Sequence, residues 1–215
     1  MRHERDFRSD RLEGTATPNK ERLTRQTLRT GPIGILPRTL DPAVAAELDA
    51  LPVHHLPQLR LEGDLKTLRR EAQLHLAESK FGPDWLAEWL VNDLSFLGLM
   101  FEQLTGAQRL CLRLDIIEDD ACRKFHVDNV LHRLVTTYRG PGTQWLPPHA
   151  LANLPHDSPI SIDHIRQLER GWIAIMRGSR GATADHPGLL HRSPPIERQG
   201  IARLFLAINE TPRHS

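Results

Sequence analysis

The chain has 215 residues, 39% of them apolar and 26% charged, a composition that buries a core without disulfides or a structural metal. Lysine plus arginine (28) nearly cancels aspartate plus glutamate (27), so the net charge of +1 gives no bulk field for nucleic acid or anionic lipid. Cys111 and Cys122 have no CxxC spacing, which excludes a disulfide framework or a thiolate zinc finger and fits a reducing cytoplasm.

Residues 1–30 are polar, mix both charge signs and show no apolar period, so they read as a loosely ordered tail. The opening MRHERDFRSDRLEG has no apolar signal core, and no run in the chain approaches 18 apolar residues. A cytoplasmic protein without membrane contact is expected, with residues 31–215 as a single domain. Ile33 to Leu36 is a short apolar piece between prolines. Asp41-Pro42 supplies an N-cap and a first-turn proline for a helix through Ala50. Leu65, Leu68, Ala72 and Leu76 set a second helix from Asp64 to Ser79. Gly82-Pro83-Asp84 opens a third, in which Trp85, Leu86, Trp89, Leu90, Leu94, Leu97, Met100, Phe101 and Leu104 recur at helical spacing until Gly106. That stripe reads as core packing.

After Gly106 the period becomes two. In RLCLRLDII, Leu110, Leu112, Leu114 and Ile116 alternate with Arg109, Cys111, Arg113 and Asp115, the pattern of a half-buried strand. Further strand-like runs are 131–138, 144–146, 160–165, 171–176 and 201–208, punctuated by the turn Gly140-Pro141-Gly142 and by loops rich in proline and histidine. Helices followed by many short strands define an α+β chain: a helical part over 40–106 and a sandwich or barrel over 108–210.

Twelve histidines are present, and two stand in a pattern with chemical meaning. His126 and Asp128, two apart in RKFHVDNV, leave the same face of an extended segment. His191, in LLHRSPP, can close a three-sided metal site from a distant strand. Two imidazoles and one carboxylate leave adjacent positions open, as non-haem iron(II) requires for dioxygen. Arg203 follows near the start of the last strand. Inside a barrel its fork suits the distal carboxylate of a 2-oxo dicarboxylic acid. Alternation leaves its side of the sheet open, because Ala202, Leu204, Leu206 and Ile208 are the more apolar set.

CRKFHVDNVLHRLVTTYRGPGTQWL and HRSPPI…RLFLAIN resemble a bacterial family known only as domain of unknown function family 1826, over about residues 30–210. More distantly, HxD, Gly171 before a strand, a second histidine and an arginine a dozen residues on resemble the iron(II)/2-oxoglutarate-dependent dioxygenase superfamily. That resemblance implies a double-stranded β-helix, or jelly roll, with the N-terminal helices packed outside it. It also implies metal on His126, Asp128 and His191, and 2-oxoglutarate held by Arg203, with Tyr138 as a further hydrogen-bonding candidate. One departure stands out: the serine usual two residues after the arginine is Phe205 here.

Other readings are weaker. His186 is a competing third ligand, in a Pro187-Gly188 loop. His132, His149, His156 and His164 fit no ligand spacing and read as solvent or loop residues. Asp115, Glu118, Asp119 and Asp120 read as a solvated strand end. Cys122 lies four residues from His126, but no nucleophile elbow, GxGxxG or P-loop occurs. The leading expectation is an oxygenase using iron(II) and 2-oxoglutarate on an unassigned small-molecule or protein substrate. The alternative is a non-catalytic jelly roll that stores, senses or delivers zinc. A third reading is a binding jelly roll without metal. The sequence leaves substrate and oligomeric state open.

Overall fold

The computed structural model describes residues 23–119, 122–148, 150 and 160–211. Residues 1–22 of the expected tail, Asp120, and the histidines at 149 and 156 lie outside the described residues. The helices are α1 (Arg25–Thr30), α2 (Pro42–Ala50), α3 (Leu65–Ala77) and α4 (Asp84–Thr105). The strands are β1 (Ile33–Leu36), β2 (Leu59–Gly63), β3 (Leu110–Ile117), β4 (His132–Arg139), β5 (Gln144–Trp145), β6 (Arg166–Gln167), β7 (Ile173–Arg177), β8 (His191–Arg192) and β9 (Arg203–Glu210).

The helix ends follow the capping chemistry. Asp41 Oδ1 accepts from Ala43 N and Asp64 Oδ1 from Thr67 N, both at 2.8 Å, satisfying first-turn donors. α4 stops at Gly106, whose left-handed backbone (φ 79°) closes the helix through a hydrogen bond to Glu102 O. α1 was not expected, since 23–30 reads as tail. Thr24 and Thr27 cap each other, Leu28 is buried, and Arg177 donates to the Leu28 carbonyl at 2.7 Å. One apolar anchor and one buried donor thus hold a segment whose composition is otherwise polar.

The strands form a six-stranded antiparallel sheet, ordered β1-β7-β4-β9-β3-β2, and a three-stranded one, β6-β5-β8. β1 and β2 arise before residue 64 yet form both edges of the large sheet, so the N-terminal part is not purely helical. The chain is therefore α+β around antiparallel sheets. On one face of the large sheet, Leu112, Leu114, Leu134, Leu206 and Ile208 join Leu48, Leu86, Leu90 and Phe101 of the helices in one core. On the other face, Val135 and Ala174 meet Leu168, Leu189 and Trp145, from or beside the small sheet. Burying both faces of one sheet lets polar groups on the second face be sheltered without breaking the first core.

Two expectations are corrected. The 160–165 run is not a strand: Ser161 Oγ accepts from Asp163 N, closing a 3₁₀ turn, Ile162–His164, with Ile162 79% exposed. Trp85, placed in the packing stripe by its spacing, is exposed because it sits at the start of α4, on the flank of the buried row. Among the described residues, no helix is long and apolar enough to cross a membrane.

Candidate metal centre

The loop from Lys124 to Leu131 carries His126 and Asp128 and is fastened through its backbone. His126 N and His191 N each donate to the other's carbonyl at 3.0 Å, joining the loop to β8. Ser179 N donates to Asp128 O at 2.8 Å, Gly178 N to Leu131 O at 2.9 Å and Arg180 N to Val130 O at 3.1 Å. Position 178 must be glycine for this: a Cβ there would lie 2.2 Å from the Val130 oxygen and 2.7 Å from the Asp128 oxygen.

The three polar side chains converge. His191 Nε2 is 3.1 Å from Asp128 Oδ2, His126 Nε2 is 3.6 Å from Asp128 Oδ1, and one ligand atom from each residue lies within 4.8 Å of the others. His126 Nδ1 is 2.9 Å from Lys124 O, and His191 Nδ1 is 3.1 Å from Leu189 O. A carbonyl only accepts, so each Nδ1 presents its N–H to that oxygen and each Nε2 faces the cluster. This outer acceptor is what a coordinating histidine needs to hold its tautomer and ring plane.

Asp128 Oδ2 also lies 2.8 Å from Arg133 NH1, yet it is buried and makes no hydrogen bond of normal geometry. Burial pushes the Asp128 carboxyl up, but His191, then Arg133 and His126, outweigh that and hold it below the usual aspartate value. An ionised carboxylate with two imidazole Nε2 atoms turned towards it is a donor set that can bind a cation. The residues present therefore fit a divalent metal.

The cluster opens on a cavity of about 320 Å³, lined also by Arg113, Arg133 and Phe205. A cavity of about 370 Å³ between α3 and α4 is larger, but its charged lining (Arg69, Asp84, Glu88) is exposed and brings no histidine together. Arg203 lies on the face of β9 that looks away from the helices, and is 1% exposed. Its guanidinium meets neutral oxygens: Nε donates to Pro141 O (2.7 Å), NH1 to Ser193 Oγ (3.3 Å) and NH2 to Thr137 Oγ1 (3.4 Å). Burial pushes its pKa down to about 10, so it stays charged at neutral pH. The Phe205 ring, 5.2 Å from the guanidinium carbon, lines the cavity where the usual serine would stand. A serine hydroxyl reaches Arg203 nonetheless, from Ser193 beyond β8.

Tyr138 is a correction. It is fully buried on the helix side of β4, its hydroxyl donating to Asp93 Oδ2 at 2.7 Å and its ring edge-on to Trp89. The strand's alternation gives the arginine-facing place to Thr137 instead. His186 is exposed in a turn with Thr183 and stands outside the cluster. His132 is not a loop residue but the half-buried first residue of β4. Asp115 is partly buried and paired with Arg113, while Glu118 and Asp119 are exposed. Sequence reasoning passed over Arg133, although its alternation with Leu134 puts it on the face away from the helices. Ser193 and Gly178 had no local signal, since their roles come from chain segments distant in sequence.

Two solved structures share this arrangement of elements. The dioxygenase for auxin oxidation from rice aligns with a TM-score of 0.51 at 12% identity, over 88% of this chain and 76% of that one. The dioxygenase for auxin oxidation 1 from Arabidopsis thaliana, in a binary complex with 2-oxoglutarate, also scores 0.51, at 9% identity, over 88% of this chain and 86% of that one. At such identities the likeness is one of fold: this chain has the fold of these dioxygenases. It belongs to the family described as Protein of unknown function (DUF1826), whose profile matches residues 19–209. None of the curated proteins matches the sequence.

Proposed function

We propose that the protein is an iron(II)/2-oxoglutarate-dependent dioxygenase-like oxidoreductase, with its two sheets as the walls of a double-stranded β-helix and the helices packed outside. The observation that carries this reading is the convergence of two imidazole Nε2 atoms and one carboxylate on the wall of a cavity, each imidazole oriented by a backbone carbonyl. When bound, iron(II) with 2-oxoglutarate would supply dioxygen activation coupled to oxidative decarboxylation of the 2-oxo acid.

The chain's own residues would do the positioning. His126 and His191 would hold the ion through Nε2 and Asp128 through its carboxylate, leaving the remaining positions to ligands from the cavity. Arg133, 2.8 Å from Asp128 Oδ2, orients that carboxylate and keeps it ionised. Arg203 would hold the distal carboxylate of the co-substrate, its guanidinium fixed by the Thr137 and Ser193 hydroxyls. Phe205 narrows the cavity and sheds water from the charges behind it. The unpaired Cys111 and Cys122 support a reducing compartment, the cytoplasm.

Anaerobically prepared protein given iron(II) and 2-oxoglutarate, then air, should release succinate slowly without added substrate. No succinate, with no change in melting temperature on adding 2-oxoglutarate to the iron form, would overturn the proposal. The position of Phe205 between Arg203 and the cavity favours a second reading, a zinc-holding jelly roll that stores, senses or delivers the ion. Stoichiometric zinc that iron and 2-oxoglutarate cannot displace would establish that role.

A further inference from the structure

We infer that Arg113 and Arg133 form an anion subsite in the same cavity, which takes the acidic group of the primary substrate: a carboxylate or a phosphate ester. The inference deepens the proposed function, because it assumes that the cavity is where substrate is received. Its test needs no metal.

Both arginines reach the cavity by strand alternation. Leu112 and Leu114 of β3 and Leu134 of β4 are buried in the core with the helices, so Arg113 and Arg133 project from the opposite face. β9 runs between them, with Arg113 opposite Ala207 and Arg133 opposite Asn209. Two strand spacings and a two-residue stagger put their stems about 12 Å apart. The small Ala207 side chain leaves the space between them open, and two long side chains can meet one anion across it.

Each guanidinium is only partly used. Arg113 NH2 pairs with Asp115 Oδ2 and Arg133 NH1 with Asp128 Oδ2, both at 2.8 Å, while Arg133 NH2 reaches Asn209 Oδ1 only at 3.5 Å. Among the described residues, the Nε of both arginines is buried and has no acceptor. Buried donors are seldom left unpaired. Two of the same kind in one cavity wall point to an acceptor-rich group arriving with a ligand. Guanidinium forks select carboxylate and phosphate oxygens.

This subsite is separate from Arg203. Positions 203 and 207 of β9 lie about 13 Å apart along the strand, with Phe205 between them. A short dicarboxylate anchored at Arg203 does not span to Arg113, so the second acidic group belongs to a second molecule.

Titrating the full-length, metal-free protein with inorganic phosphate and, separately, with acetate tests the inference by NMR. Saturable shifts of the Arg113 and Arg133 Nε–H signals are expected with at least one of the two, and which one binds tells phosphate from carboxylate chemistry. Arg113→Met should weaken that binding at least fivefold, with spectral dispersion reporting that it folds. Arg113→Lys, which keeps the charge but loses the Nε donor, should fall between. Arg69→Met, on α3, should leave binding unchanged. Absence of shifts with both anions, or shifts of undiminished affinity in Arg113→Met, would overturn the inference. Failure of the oxygenase reading alone would appear as missing succinate release with the anion shifts intact.

Discussion

His126 and His191 exchange both of their backbone hydrogen bonds at 3.0 Å, and their rings lie side by side with centroids 4.7 Å apart. Two imidazoles from distant parts of the chain are thus set by main-chain geometry, not by the side chains alone. A site arranged in this way needs little reorganisation to accept an ion.

Metal binding should therefore appear as stabilisation. With free iron(II) or zinc at 100 times its dissociation constant, stability should rise by about 2.7 kcal/mol. For a chain of this size that is roughly 5–10 °C in melting temperature. His126→Ala and Asp128→Ala should abolish the rise, as scanning calorimetry of metal-free and metal-loaded samples will report.

Gly178→Ala tests the loop packing. The added Cβ would meet carbonyl oxygens of Val130 and Asp128, so either the loop or β7's exit must shift. A loss of about 1–3 kcal/mol is expected, in the range of overpacking. Metal affinity should fall as well, because the displaced loop carries two of the three converging groups. Chemical denaturation and a metal titration measure the two effects separately.

Arg203→Met separates stability from binding. The native guanidinium is buried against neutral oxygens, so removing it relieves desolvation while stranding the Pro141, Ser193 and Thr137 acceptors. These effects oppose, and stability should change by less than about 2 kcal/mol. The stabilisation given by 2-oxoglutarate to the iron form should disappear. If it persists undiminished, Arg203 does not hold the co-substrate.

Tyr138→Phe should behave in the reverse way. It removes a hydrogen bond to Asp93, which keeps its partner Arg38, so about 1–2 kcal/mol is expected. The response to 2-oxoglutarate should be unchanged, because the hydroxyl faces the helices.

His132 gives the fold a pH dependence. Burial pushes its pKa below the ordinary histidine value of 6.5; Arg177 adds to this, and Glu210 opposes it. The folded state then binds fewer protons than the unfolded one. Stability is unaffected above the unfolded value and declines as the pH falls below 6.5 towards the folded value. In metal-free protein, His132→Gln should flatten that part of the stability curve, and urea denaturation across the interval checks it.

Periodicity and capping residues were enough to read α2, α3 and α4, the strand run from Leu110, and the pair His126-x-Asp128, because each is decided by neighbours a few residues away. Alternation along a single strand also said that Arg203 and Leu204 face opposite ways. It could not say that both faces of β9 are covered, and so whether Arg203 is buried. That depends on the small sheet closing over the large one. The same closure brings His191 beside His126, while the pairing of β7 with β4 lets Gly178 receive the loop and α4 on the opposite face gives Tyr138 its partner Asp93. These contacts join segments far apart along the chain, and no local pattern encodes which distant backbone will arrive. Local chemistry chose the elements and supplied the ligand types; long-range packing chose which of them meet.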